Sequence, residues 1–183
     1  MKKNWIYIFI VIVLIILGIV ISIIINRHRK ANVNRYEFPS TIVVENHTNY
    51  WYADTMVMII LNKIYHYDTM NVNIYYAPNT YNDSGYELIG FISKLPYKKH
   101  SYEIFIKKNN LSLSIEDILS HELIHLYQME CGDLIPIDNF KTVYKGDTIY
   151  FSKVPYNKRK YEIYAFSNQD IIRKKLNSYL YSK

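Results

Sequence analysis

Cysteine is nearly absent from this 183-residue chain: Cys131 stands alone, so no intrachain disulfide can form and the fold must be held by packing. A lone thiol of this kind reads as a small, partly buried hydrophobe before it reads as a reactive group. Acidic residues are missing from the first 35 positions, which hold Lys2, Lys3, Arg27, Arg29, Lys30 and Arg35. Those six are the whole source of the net charge of +6, because 16 basic and 16 acidic residues share the rest of the chain. A neutral remainder offers no phosphate-tracking surface, which excludes a nucleic-acid partner from the expectations. Internal repeats are absent, and so is any low-complexity tract beyond the N-terminal apolar run. No histidine follows His125.

That apolar run, Trp5 to Ile25, carries no charge across 21 residues. It is long enough to cross a hydrocarbon core of about 30 Å. A cleaved signal peptide is the competing reading, since Lys2 and Lys3 precede the run, but no A-x-A-like site follows it and the apolar stretch exceeds a usual h-region. The expectation is an uncleaved single-pass anchor over 5–25 after a short tail of residues 1–4, with a basic linker over 26–40 ending at Pro39 and a domain over 41–183. Charge on the two flanks nearly balances. The short Lys-Lys tail before a long run favours a signal anchor that places the domain outside the cytoplasm. Nothing in the sequence sets an oligomeric state.

Within the domain, Thr41 to Glu45 reads as a strand and Tyr50 to His66 as a helix, with apolar residues at helical spacing. Asn71 to Ala77, Tyr86 to Lys94 and Ser101 to Lys107 read as strands, the last alternating well. Ser114 is suited to cap a helix that ends before Gly132. Phe140 to Tyr144 and Thr148 to Val154 flank Lys145-Gly146-Asp147 as a hairpin, and a last helix is expected from about Asn157 to Leu180, with Glu162, Phe166, Gln169, Ile172 and Leu176 on one face. The class is α+β, a small domain with a mixed or antiparallel sheet.

The capped helix carries His121-Glu122-Leu123-Ile124-His125, a match to H-E-x-x-H. Residues four apart stand one above the other on a helix, so both imidazoles can face one tetrahedral cation. Glu122 lies about 100° further round, near the metal's water and not on the metal. A catalytic zinc site wants three protein ligands and an open position. With no later histidine, a carboxylate is needed. Glu162 is the best candidate: it lies near the start of the last helix, with the small Ala165 one turn on to permit close approach. Its alternative role is a solvated carboxylate favoured by the helix dipole.

On these residues the chain resembles the zincin metallopeptidases and, within them, the gluzincin pattern, in which H-E-x-x-H is followed by a glutamate on a second helix. Glu162-Ile163-Tyr164-Ala165 is similar to the E-x-x-A glutamate helix of membrane-associated members, and the likeness spans Ser101 to Ile172. The resemblance implies Zn²⁺ held by His121, His125 and Glu162, Glu122 as catalytic base, and a protein or peptide substrate. It also implies an edge strand beside the zinc helix, a place that Ser101 to Lys107 would fill. Family members often carry an aspartate shortly after the ligand glutamate to hold a histidine, and here that position is Phe166. Asp133, Asp138, Asp170 or a backbone carbonyl are left as acceptors for the second imidazole nitrogens. Gln128 lies on the ligand stripe and is suited to touch a ligand's far side or the substrate. Tyr156, Tyr161 and Tyr164 lie close enough in sequence to Glu162 to supply an oxyanion donor, packing being the plainer role for each. The other class of function open to the chain is a membrane-tethered binding or structural protein that keeps the fold without turnover.

Overall fold

The computed structural model describes residues 41–77, 87–108 and 113–182. The expected anchor and its linker, and the first residue of the expected strand Tyr86 to Lys94, lie outside the described residues. Among the described residues no helix is long and apolar enough to cross a membrane.

The class is α+β, built on two sheets. Strands β1 (Ile42–Asn46), β2 (Met70–Ala77), β3 (Gly90–Lys94) and β4 (Ser101–Lys107) form a mixed sheet in the order β1-β2-β4-β3. β1, β2 and β4 run parallel, and β3 pairs antiparallel with β4. The period-two pattern decides which face is covered: Met70, Val72 and Ile74 on β2, with Tyr102, Ile104 and Ile106 on β4, are buried under the helices. On the opposite face one register row stacks aromatic rings across neighbouring strands, Tyr75 on Phe105 and Phe105 on Phe91, with His47 on Tyr75.

Helix α1 (Ala53–Ile59) begins three residues later than its sequence pattern suggests and passes into a π-turn over Ile60–Ile64, where the Tyr65 N–H reaches back to the Ile60 carbonyl. Helix α2 (Ile115–Glu130) has the expected ends. The Ser114 hydroxyl accepts from the Asp117 N–H, Glu116 and Asp117 occupy the first turn, and Gly132 adopts a φ of 75° just past the last turn. Leu119, Leu123 and Leu126 are fully buried, each contributing about 1.5–3 kcal/mol of apolar burial. The stripe of His121, His125 and Gln128 is buried as well, because helix α3 (Lys160–Tyr181) packs along it with Ala165 fully enclosed.

Two expectations are corrected. Ser101–Lys107 is an interior strand, and β3 is the edge strand beside α2; the alternation that marks β4 reports burial on one face and carries no information on sheet order. Cys131 is exposed at the end of α2 and is not a buried hydrophobe, because its side chain lies past the last packed turn. Between α2 and α3 the chain forms a second sheet of β5 (Leu134–Asp138), β6 (Lys141–Tyr144) and β7 (Asp147–Tyr150), all antiparallel. The expected hairpin is present, but its turn is only Lys145-Gly146, both with φ above zero; Asp147 pairs with Tyr144 inside β7, which ends at Tyr150 and not at Val154. β5 had no strand signal of its own, Pro136 lying at its centre on the unpaired side.

The C-terminal end of α2 is tied to the sheet by Glu130. Its buried carboxylate accepts from the Tyr102 hydroxyl, meets His100 Nδ1 at 2.5 Å and Lys94 Nζ at 3.3 Å. Burial opposes the charge, but these donors hold the carboxyl below the usual range. Glu130→Ala is therefore expected to lower the unfolding free energy by roughly 2 kcal/mol, leaving the Tyr102 hydroxyl unpaired. Urea denaturation at neutral pH measures it, and an unchanged midpoint would remove the tie from the account.

Candidate metal centre

Packing of α3 against α2 sets the first turn of one helix against the middle of the other. His121 and His125 come from successive turns of α2, and Glu162 from the first turn of α3; all three are buried. Their donor atoms form a near-equilateral triangle: His121 Nε2 to His125 Nε2 is 3.2 Å, and Glu162 Oε2 lies 3.3 Å from each. A tetrahedron with ligand bonds of 2.0–2.1 Å has edges of about 3.3 Å, so the triangle fits a small four-coordinate cation with one vertex left open. The group His121, His125 and Glu162 could hold a metal ion.

The electrostatics fit the same reading. Glu162 Oε2 is enclosed without a well-formed hydrogen bond, so it needs either a proton carried by a facing imidazole or a cation at the centre. Burial opposes its charge, yet the two imidazoles draw its pKa down to about 2. Burial likewise opposes charge on His125, but the Glu162 carboxylate outweighs it, with Glu122 and Gln128 adding, and raises the pKa to about 9.

The acceptors for the far imidazole nitrogens are two amides. His125 Nδ1 lies 2.8 Å from Gln128 Oε1, and His121 Nδ1 lies 3.2 Å from Gln169 Oε1. The candidate aspartates are engaged elsewhere: Asp133 with Lys145, Asp138 with the backbone N–H groups of Phe140 and Lys141, and Asp170 with Arg173. Phe166 is 55 % exposed, so it is not a core residue of α3; its ring lies 4.5 Å from that of His121 and closes one side of the centre. Gln169 escaped assignment although it shares the stripe of Glu162, one turn past Phe166, which is where an acceptor for His121 must stand.

Glu122 is buried next to the triangle without belonging to it, and burial pushes its carboxyl above the ordinary range against the pull of both histidines. It lines two adjoining clefts. One, of about 500 Å³, lies between Leu88, Gly90, Ile118, His121 and Phe166; the other, of about 180 Å³, lies between Ile92, His125, Leu134, Pro136 and Glu162. Gly90 and Tyr156 border both. Tyr156 faces Glu162 and Glu122, which together with burial keep its phenol protonated. Tyr161 is buried with its ring edge toward His125, a packing position, and Tyr164 turns away, its ring under Lys145 Nζ. Arg159 is a residue the sequence did not single out: its buried guanidinium lies 4.2 Å over the Phe151 ring and donates to the Val154 carbonyl, pinning the β7 side of the cleft to the start of α3.

Gly90 earns its place sterically. A Cβ there would lie 2.7 Å from Ile118 Cγ2 and 3.1 Å from Glu122 Oε1. Only glycine lets β3 pass so close to α2.

Comparisons with protein-family models, curated proteins and solved structures found no match for this chain. The metal reading therefore rests on the geometry, and pH tests it. Without metal, His125 has a folded pKa of about 9 against an ordinary 6.5, so its contribution to stability is complete below pH 6.5 and lost as pH rises through 9. Glu162, lowered from 4.5 to about 2, contributes fully above pH 4.5 and loses that contribution as pH falls toward 2. A metal ion must displace the proton on His125, so log affinity for zinc is expected to rise by about one per pH unit between pH 6.5 and 9. Chelator competition across that range measures the slope; a flat profile would detach His125 from the metal.

Proposed function

We propose that the chain is a zinc-dependent peptidase of the gluzincin arrangement, tethered to a membrane by residues 5–25 with its domain outside the cytoplasm. His121, His125 and Glu162 would hold the zinc. The observation that carries the reading is the position of Glu122: a buried carboxyl, outside the ligand triangle, at the junction of two clefts that run along an open strand edge.

That edge supports a polypeptide substrate. The Lys107 N–H donates to the Ile89 carbonyl and the Leu95 N–H to the Ser101 carbonyl, which makes residues 89, 91, 93 and 95 the ones paired with β4. Gly90 and Ile92 then direct their N–H and C=O groups away from β4, toward the clefts. An extended peptide can add as a strand there and lay a carbonyl beside Glu122.

Zinc, when bound, lowers the pKa of water and polarises a carbonyl. The chain's own residues do the rest. Glu122 takes the proton from the attacking water and passes it to the departing amine, a task suited to a carboxyl whose pKa is raised by burial. Tyr156, protonated at neutral pH and bordering both clefts, is placed to donate a hydrogen bond to the developing oxyanion.

Glu122→Gln is expected to keep zinc at native affinity and lose on the order of a thousandfold in kcat on quenched peptide substrates. Turnover left unchanged would rule out the base, and a native protein that binds zinc but cleaves no peptide would favour the binding protein. Gly90→Ala is expected to retain zinc while kcat/KM falls by at least about tenfold, because the added methyl displaces β3 or Glu122.

A further inference from the structure

The amide of Gln128 makes two contacts that constrain each other. Its Nε2 lies 3.2 Å from the main-chain oxygen of Tyr161, and its Oε1 lies 2.8 Å from His125 Nδ1. A carbonyl oxygen can only accept, so the NH₂ end of the amide must face Tyr161. The oxygen end then faces His125, which must carry a proton on Nδ1, so that Nε2, directed at Glu162 and His121, is the nitrogen left to a metal ion. Tyr161 immediately precedes Glu162 in the first turn of α3. One side chain thus fixes the tautomer of one ligand and anchors the backbone beside another.

We propose that Gln128 is the positioning residue of the centre, and that it acts as an oriented amide for which a carboxylate cannot substitute. Glutamate accepts the His125 proton well, and its charge would make the imidazole a stronger ligand. At position 128, however, it would set a second oxygen against the Tyr161 carbonyl with no proton between them, in a buried place. Gln169 carries no such constraint: it lies in the cleft lining, its oxygen accepts from His121, and no acceptor for its NH₂ group is found among the described residues. The two glutamines are alike in composition and opposite in tolerance.

This inference rests on the metal-binding half of the proposed function and not on peptide hydrolysis. The test is zinc affinity of the full chain, by chelator competition at pH 7.5, for the native protein, Gln128→Glu, Gln128→Met and Gln169→Glu. Expected are losses of at least tenfold for both substitutions at 128, with glutamate no better than methionine, and affinity at or above native for Gln169→Glu. Histidine-labelled, zinc-loaded native protein should give a nitrogen NMR spectrum with His125 protonated at Nδ1 and metal-bound at Nε2. In Gln128→Met that Nδ1 proton should exchange with water at least tenfold faster. Gln128→Glu binding as tightly as native protein overturns the proposal, since charge alone would then suffice. Should that variant fail to fold, Gln128→Met decides: native affinity and native exchange overturn it equally. A native chain that binds no zinc overturns the metal reading and this inference with it, whereas zinc binding with a different order of variants overturns this inference alone.

Discussion

Three donor atoms held 3.2 to 3.3 Å apart inside a protein are unstable company without something positive between them. Desolvating a carboxylate costs several kcal/mol unless a cation or proton answers it. The whole packing of α2 on α3 leads to this point, since the enclosed Ala165 lets the helices close and the buried leucines of α2 fix that helix against the sheet. Gln128 and Gln169 hold the far sides of the imidazoles, but the charge on the carboxylate is answered by the imidazoles facing it or by what the three groups jointly bind. Apolar contact supplies the geometry, and the geometry creates the demand for a cation.

Much of this was legible in the chain. The H-E-x-x-H spacing, the Ser114 cap and the Gly132 stop place a helix and a ligand pair together, because helical periodicity and end chemistry are local. The lack of a later histidine pointed to a carboxylate, and Glu162 stood out among the acids by its place near the start of the last helix with Ala165 one turn on. What could not be read was lateral order. The alternation of β4 is the clearer, but it says nothing of sheet order, and only tertiary packing decides that the glycine-led β3 takes the edge next to α2. β5 escaped because its central proline suppresses a strand signal that an unpaired edge tolerates.

The acceptors for the histidines were sought among three aspartates or a backbone carbonyl, with Gln128 placed on the ligand stripe; the structure uses two amides, Gln128 as that placement allowed and Gln169, which had no such role. An aspartate near the centre would add a negative charge to a pocket already holding Glu122 and Glu162. Two neutral acceptors orient the rings without that addition, leaving more of the positive charge of a bound cation available to polarise what it touches. Phe166, at the place where an acid was expected, walls the centre instead, and the acceptor role moves one turn along the same helix to Gln169.

The segment from Cys131 to Arg159 leaves the helix of His121 and His125 and returns to that of Glu162, and it contributes none of the three donor atoms while giving Leu134, Pro136, Thr142 and Phe151 to the smaller cleft. One end is set at Gly132 by the helix stop; at the other, the buried Arg159 guanidinium ties the start of α3 to Phe151 and the Val154 carbonyl, around the Tyr156 that borders both clefts. The part that can vary is therefore the three strands from Leu134 to Tyr150, and not the turn that carries Tyr156 and Arg159. Lengthening the turns between those strands costs only about 0.6 kcal/mol of closure entropy per doubling, so they can be redrawn to reshape one wall of the groove while the three donor atoms beneath keep their places.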